Sequence, residues 1–147
     1  MIIRQLSVFV ENRPGHLIAP CRLLAEAGIN IVALSLAETQ NYGILRLIVR
    51  DWQKAKELLE AGGSRATVTE VLAVQVADRP GGLLEVLTPI SAAGLNVEYM
   101  YAFATKAGDQ AVLVFRFEDP HAALEALQGS SVSFLDTVEL FSRVDRT

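Results

Sequence analysis

Cysteine and histidine are almost missing from this 147-residue chain, which has one Cys (Cys21) and two His (His16 and His121). A single cysteine cannot close an internal disulfide, and no Cys-rich or His-rich metal spacing can be built from so few ligands. Long apolar runs are also lacking. The longest stretch without Asp, Glu, Lys or Arg is the twelve residues Val86–Val97, which include a proline, a glycine and an asparagine. A membrane-spanning helix needs ~20 apolar residues, so none is expected. The opening Met1-Ile2-Ile3-Arg4 shows no basic segment followed by an apolar core, the mark of a secretory leader. Basic charge is in deficit, with 13 Lys and Arg against 17 Asp and Glu for a net −4. A nucleic-acid surface normally needs clustered Lys and Arg, so that partner is not expected. Gly-x-Ser-x-Gly, Walker and dinucleotide-binding Gly-x-Gly-x-x-Gly patterns are absent, and no catalytic constellation takes their place. The expectation is a cytoplasmic ligand-binding protein with neither cofactor nor metal.

What is present is enough apolar residue to fold, 51% of the chain, and a repeat. A shift of 66 residues lays Asn12–Ile31 over Asp78–Val97 without a gap and gives seven identities in twenty pairs. Arg13-Pro14-Gly15 meets Arg79-Pro80-Gly81, Leu17 meets Leu83, and Ala27-Gly28-x-Asn30 meets Ala93-Gly94-x-Asn96. The repeat occurs only twice and is too long for a solenoid unit, so it marks a duplicated small domain. The expected boundaries are 1–69 and 70–147.

Both copies read alike. Leu6, Val8 and Val10, like Leu72, Val74 and Val76, alternate as one face of a strand. Arg-Pro-Gly breaks that strand. Leu17, Cys21 and Leu24, like Leu83, Leu87 and Ile90, recur at helical spacing, which places Cys21 in the core. Gly28 and Gly94 supply a left-handed helix stop. Strands over Ile29–Ala37 and Leu95–Thr105 come next, then a turn at Gly43 or Gly108. Third strands cover Ile44–Arg50 and Ala111–Phe117. Asp51 and Asp119 cap a second helix that ends at Gly62 or Gly129. Short strands close each copy, Ala66–Thr69 in the first, one residue before Val71–Val76 opens the second. So short a linker predicts a rigid pseudo-twofold pair. The pattern is βαββαβ, an α+β ferredoxin-like fold with helices on one face of an antiparallel sheet. Pro20 and Pro89 fall inside the first helices and should bend them or delay their start.

The loop Asn12-Arg13-Pro14-Gly15-His16-Leu17 with Asn30, and Asp78-Arg79-Pro80-Gly81-Gly82-Leu83 with Asn96, resembles the ACT domain family. The resemblance covers nearly the whole chain, twice over. It implies a stand-alone tandem-ACT regulatory protein that binds a small ligand, most often an amino acid, between two copies and acts on a separate partner. The physical chemistry of the loop agrees. Proline keeps the chain before it extended, and glycine lets backbone approach a ligand with no β-carbon in the way. The helix start offers N–H donors to a carboxylate, and Asp78 or Asn12 can accept from an ammonium group. His16 stands where the other copy has Gly82, as a solvated loop residue or one that narrows its site. Arg13 and Arg79 read as surface ion partners or ligand contacts, and Asn30 and Asn96 as ligand or backbone partners. Gly62-Gly63-Ser64-Arg65 reads as a helix exit rather than a phosphate loop.

The sheet face away from the helices also looks apolar, with Ile44 and Ile48 in one copy and Val112 and Val114 in the other; Tyr99, Tyr101 and Phe103 share one face of their strand, and the equivalent face of the first copy has Ala33, Ser35 and Ala37. A face with no helices should be polar, so a cover is expected. Homodimerisation is the preferred one and a docked enzyme of amino-acid metabolism the alternative. Val138 and Leu140 continue the 66-residue register of Leu72 and Val74, so Asp136–Val144 is expected to add a strand. Two other functions stay open, a small acyl-phosphate hydrolase using Arg13 and Asn30, and a ligand-free assembly adaptor.

Overall fold

The structure is a computed structural model that describes residues 1–103 and 110–145. The chain divides into two compact units. The first is Arg4–Thr69, and the second joins Met1–Ile3 to Glu70–Thr147.

In the first unit, β1 (Ile2–Glu11) leads into α1 (Ile18–Glu26), β2 (Ile31–Glu38), β3 (Tyr42–Val49), α2 (Trp52–Ala61) and the opening of β4 (Arg65–Ala77). The strand order is β2-β3-β1-β4, the ferredoxin-like order. Antiparallel register sets Leu6 opposite Leu47 and Val8 opposite Leu45, and Leu34 and Leu36 opposite the same two residues on the other side. Alternation therefore sends Leu6, Val8, Val10, Leu45, Leu47 and Val49 to one face, where they pack with Leu24, Ala55 and Leu59 of the two helices. The other face carries a buried polar chain. Gln5 Nε2 donates to Ser7 Oγ at 3.0 Å, and Ser7 Oγ lies 3.1 Å from Thr69 Oγ1.

The second unit repeats the plan with the rest of β4, α3 (Gly82–Ala92), β5 (Tyr99–Ala102), β6 (Gln110–Arg116), α4 (Pro120–Ala126) and β7 (Ser133–Leu135). Its order is β7-β4-β6-β5. Leu72, Val74 and Val76 pack with Val86, Ile90, Phe115, Phe117, Ala123 and Leu127. The capping signals work as expected in both units: Lys54 N donates to Asp51 Oδ1 and Ala122 N to Asp119 Oδ1. Gly28 and Gly94 adopt φ of +70° and +72° just past their helices.

Five expectations need correction. First, the tail forms a helix, α5 (Thr137–Asp145), in place of a strand. Asp136 and Glu139 close a reciprocal cap, Glu139 N donating to Asp136 Oδ1 and Asp136 N to Glu139 Oε2. Helical geometry then buries Leu140 and Phe141 and leaves Val138 78% exposed, so the Val138–Leu140 alternation has no strand behind it. Second, Cys21 is exposed. The inward stripe of α1 is Pro20 and Leu24, with Leu17 and Leu23 half-buried against the core. Third, Pro20 is the third residue of α1, within the first turn where no helix hydrogen bond is lost. Pro89 is interior, and α3 runs through it to Ala92.

Fourth, β4 is one continuous thirteen-residue strand, with no break near Glu70. Fifth, β5 is shorter than Leu95–Thr105. Thr105 and the Gly108 turn lie outside the described residues. As expected, α2 ends at Gly62, its C-cap, and Gly63 beyond it takes the left-handed conformation.

The sheet face away from the helices is covered more than its sequence implied. Ile48, Val112 and Val114 are buried within the single chain. Gln75 alternates with the core residues Val74 and Val76, so it sits on that face of β4. Arg143 Nη2 of α5 donates to Gln75 Oε1 at 2.8 Å, which holds α5 over this face of the second unit. The expected cover is, in that unit, the chain's own last helix.

Candidate functional site

The glycine loop of the first unit begins where β1 ends. Asn12 Nδ2 donates to Thr39 O at 3.0 Å and Asn12 N to Asn41 O, so this side chain ties the loop to the β2–β3 hairpin. Arg13 N donates to Glu11 O, and the Arg13 guanidinium pairs with Glu11 at 2.8 Å, both side chains exposed. Gly15 sits at φ +81°, and a β-carbon there would meet nothing within 4 Å. His16 is half-buried, and Leu17 packs against the core. The first helical residue is Ile18, whose N–H donates to Gly15 O at 3.1 Å.

The loop of the second unit starts from the same turn, Arg79 N donating to Ala77 O at 3.0 Å. Arg79 pairs with Glu85 of α3 at 2.7 Å. Gly81 sits at φ +84° with open space where a β-carbon would be, matching Gly15. Beyond that residue the loops diverge. Gly82 is buried, and a β-carbon on it would lie 1.9 Å from Ala77 O. Only glycine fits so close to a strand carbonyl, and it lets α3 start at once, with Gly81 as its N-cap. His16 carries a β-carbon at the matching position. There α1 starts two residues later, at Ile18.

The first unit therefore brings Asn12–His16 into one exposed or half-exposed loop with Leu17 turned to the core, and the second brings Asp78–Gly81 into an exposed loop, with Gly82 buried and Leu83 37% exposed at the start of α3. Asn30 and Asn96 are not brought to those loops. Each follows the far end of its helix. α1 has nine residues and α3 eleven. At 1.5 Å per residue, that is a separation of roughly 14–17 Å. Arg13, paired to Glu11, and Asn30 are thus not poised around one phosphate, as acyl-phosphate hydrolysis would need. Among the described residues no group of three or more His, Cys, Asp or Glu converges as a metal site. None of their helices is long and apolar enough to cross a membrane.

Sequence reasoning missed the neighbours Ile18 and Leu84, which stand 66 residues apart at the helix starts and are 56% and 67% exposed. Their matched positions in the repeat were the available signal.

Comparisons with known proteins agree with this geometry. A protein from Bacteroides thetaiotaomicron, BT0572, has a solved structure that superposes with a TM-score of 0.87 at 36% identity, over 96% of each chain. The regulatory subunit of aspartate kinase from Thermus thermophilus, in its ligand-free form, gives 0.62 at 18% identity, covering 85% of this chain and 90% of that one. Aspartokinase alpha and beta subunits give 0.55 at 13% identity, over 86% and 90%. The last two likenesses are of fold. Curated protein sequences give no match. The family model described as an ACT domain pair matches residues 1–144, and the chain belongs to that family.

Proposed function

We propose that this chain is a non-catalytic sensor that takes a small zwitterion of the amino-acid class at its glycine loops and modulates a separate enzyme of amino-acid metabolism. It would act in the cytoplasm as a homodimer. The observation that carries the reading is the matched pair Gly15 and Gly81: left-handed, exposed, and with open space above the backbone at the head of a helix. A carboxylate placed at either helix start is favoured by the helix dipole. Asn12, Arg13, Pro14, His16 and Leu17 frame one loop. Asp78, Arg79, Pro80, Gly82 and Leu83 frame the other. Asn30 and Asn96 join a site only if a different loop brings a ligand to them. The fold-level likeness to a regulatory subunit of aspartate kinase supports a regulatory role.

Calorimetry with each of the twenty amino acids tests it, on the wild type and on the Gly15→Ala/Gly81→Ala double variant. Binding of one amino acid, or a few, that the double variant loses is the expected result. No binding at millimolar concentration, or equal binding by the variant, ends the proposal.

A further inference from the structure

The helix-free face of the first unit ends in an exposed aromatic pair that neither the core nor the glycine loop uses. Phe9 alternates with the core residues Val8 and Val10, and Tyr42 lies an odd number of residues from Leu45 and Leu47. Both rings therefore stand on the side away from the helices. Phe9 is 36% exposed and Tyr42 45%. Their centroids are 6.3 Å apart, with the rings tilted by 44°. They belong to β1 and β3, the two inner strands of the order β2-β3-β1-β4. A single exposed ring is ordinary, but two in contact in the middle of a sheet make an apolar platform.

Cations flank it. Arg65 of β4 is exposed, with its guanidinium 5.4 Å from the Phe9 ring centroid. Arg46 shares the face of Tyr42 on β3 and stands opposite Ser7 of β1 and Ser35 of β2. Glu11, the next residue of β1 on that face, is already paired with Arg13. The net −4 of the chain hides this basic character, because it averages two unlike units. Arg4–Thr69 holds eight Lys and Arg against six Asp and Glu, whereas the second unit holds five against eleven. The expectation against a nucleic-acid surface rested on the whole-chain charge, and the first unit alone is net basic.

Rings on a sheet with arginines beside them suit bases joined by phosphates. Every base has a π-face that stacks on an aromatic ring or a guanidinium plane, so Arg65 extends the platform rather than blocking it. Phosphates between stacked bases pair well with guanidinium groups. A recurrent RNA-binding module uses a four-stranded sheet whose aromatic side chains stack two or three bases. One sequence pattern of that module, Lys/Arg-Gly-Phe/Tyr-Gly/Ala-Phe, is met here by Tyr42-Gly43, while Gln40-Asn41 and Ile44 depart from it. We propose that this face binds single-stranded nucleic acid, with bases stacking on Phe9 and Tyr42 and their phosphates meeting Arg65 and Arg46. The site is independent of the glycine loops.

The test is NMR and fluorescence anisotropy on the full chain with three probes: a single-stranded RNA octamer of mixed sequence, the DNA octamer of the same sequence, and the RNA duplex. The expected result is binding of at least one single strand, with shifts at Phe9, Tyr42, Ile44 and Arg65. The duplex, whose bases are not free to stack on the rings, should bind at least ~10-fold more weakly. Two phosphate contacts predict a loss of roughly 7-fold between about 50 mM and 200 mM salt. Phe9→Ala and Tyr42→Ala should each weaken binding by ~10-fold, the scale of one lost stacking base, while Phe9→Tyr keeps the ring and should bind as the wild type does. Arg65→Glu should weaken binding and flatten its salt dependence. The Gly15→Ala/Gly81→Ala variant should bind unchanged, so this site and the proposed amino-acid site fail separately. No shifts at these residues at millimolar octamer, duplex binding as tight as single-strand binding, or unaltered binding by the Phe9→Ala and Tyr42→Ala variants overturns the inference.

Discussion

The two glycine loops share Arg-Pro-Gly and a left-handed glycine with open space above it, yet they hand the chain to their helices differently. In the second unit Gly82 slides under the Ala77 carbonyl and α3 begins there. In the first unit His16 occupies that place, and α1 begins at Ile18. Duplication thus conserved the part of the turn that faces outward and let the inward part vary. The lesson is local. A repeat matches at the level of backbone conformation only where each copy's neighbours allow the same approach.

Breaking that difference should have the largest effect. Gly82→His puts a β-carbon 1.9 Å from a backbone oxygen, so the strand or the helix start must move. A loss on the order of 3 kcal/mol or more is expected by chemical denaturation. The reverse change, His16→Gly, should cost far less, and an equal loss for both would show that the loops are not distinct.

The next test concerns α5, which only the second unit has. Leu140→Ala truncates a side chain that is 1% exposed and should cost about 2–5 kcal/mol. Hydrogen exchange should show α5 opening, and a change below about 1 kcal/mol would mean that this helix does not hold the face it covers.

Smaller effects probe what the loops share. Gly15→Ala and Gly81→Ala each force a β-carbon into a left-handed residue at a cost of roughly 1–2 kcal/mol. Equal losses are expected, because neither site has a steric neighbour. Asp51→Ala and Asp119→Ala each remove a helix cap, with about 1 kcal/mol expected from either by thermal denaturation. Smallest of all is Arg79→Ala. Its ion pair with Glu85 is exposed on both sides, so stability should change by less than about 1 kcal/mol. A larger change would assign Arg79 a structural role that Arg13 lacks.

Much of this was legible in the residues themselves. Strict alternation at Leu6, Val8 and Val10 and at Leu72, Val74 and Val76 gave both core faces, because a strand has only two sides. Asp51 and Asp119 gave their caps because a cap is a short-range bond. The α1 stripe was read one position off, since Cys21 and Pro20 are both compatible with Leu24 and only packing chooses between them. The tail was misread for a similar reason: Val138 and Leu140 fit a strand until the Asp136–Glu139 cap starts a helix. The loops were found by their glycines, but the association of Asn30 and Asn96 with them was not supported, because sequence proximity ignores the length of an intervening helix.

The sequence by itself determined the duplication, the βαββαβ order within each unit and the left-handed Gly28 and Gly94, because these follow from periodicity and from backbone sterics within a few residues. Only the tertiary structure decided that Gly82 lies against Ala77, that Leu23 packs against Gly62, and that α5 covers a sheet face. Each of those is a meeting of segments distant along the chain or a choice among competing neighbours, and packing energy is settled by which atoms arrive, not by the pattern that sends them.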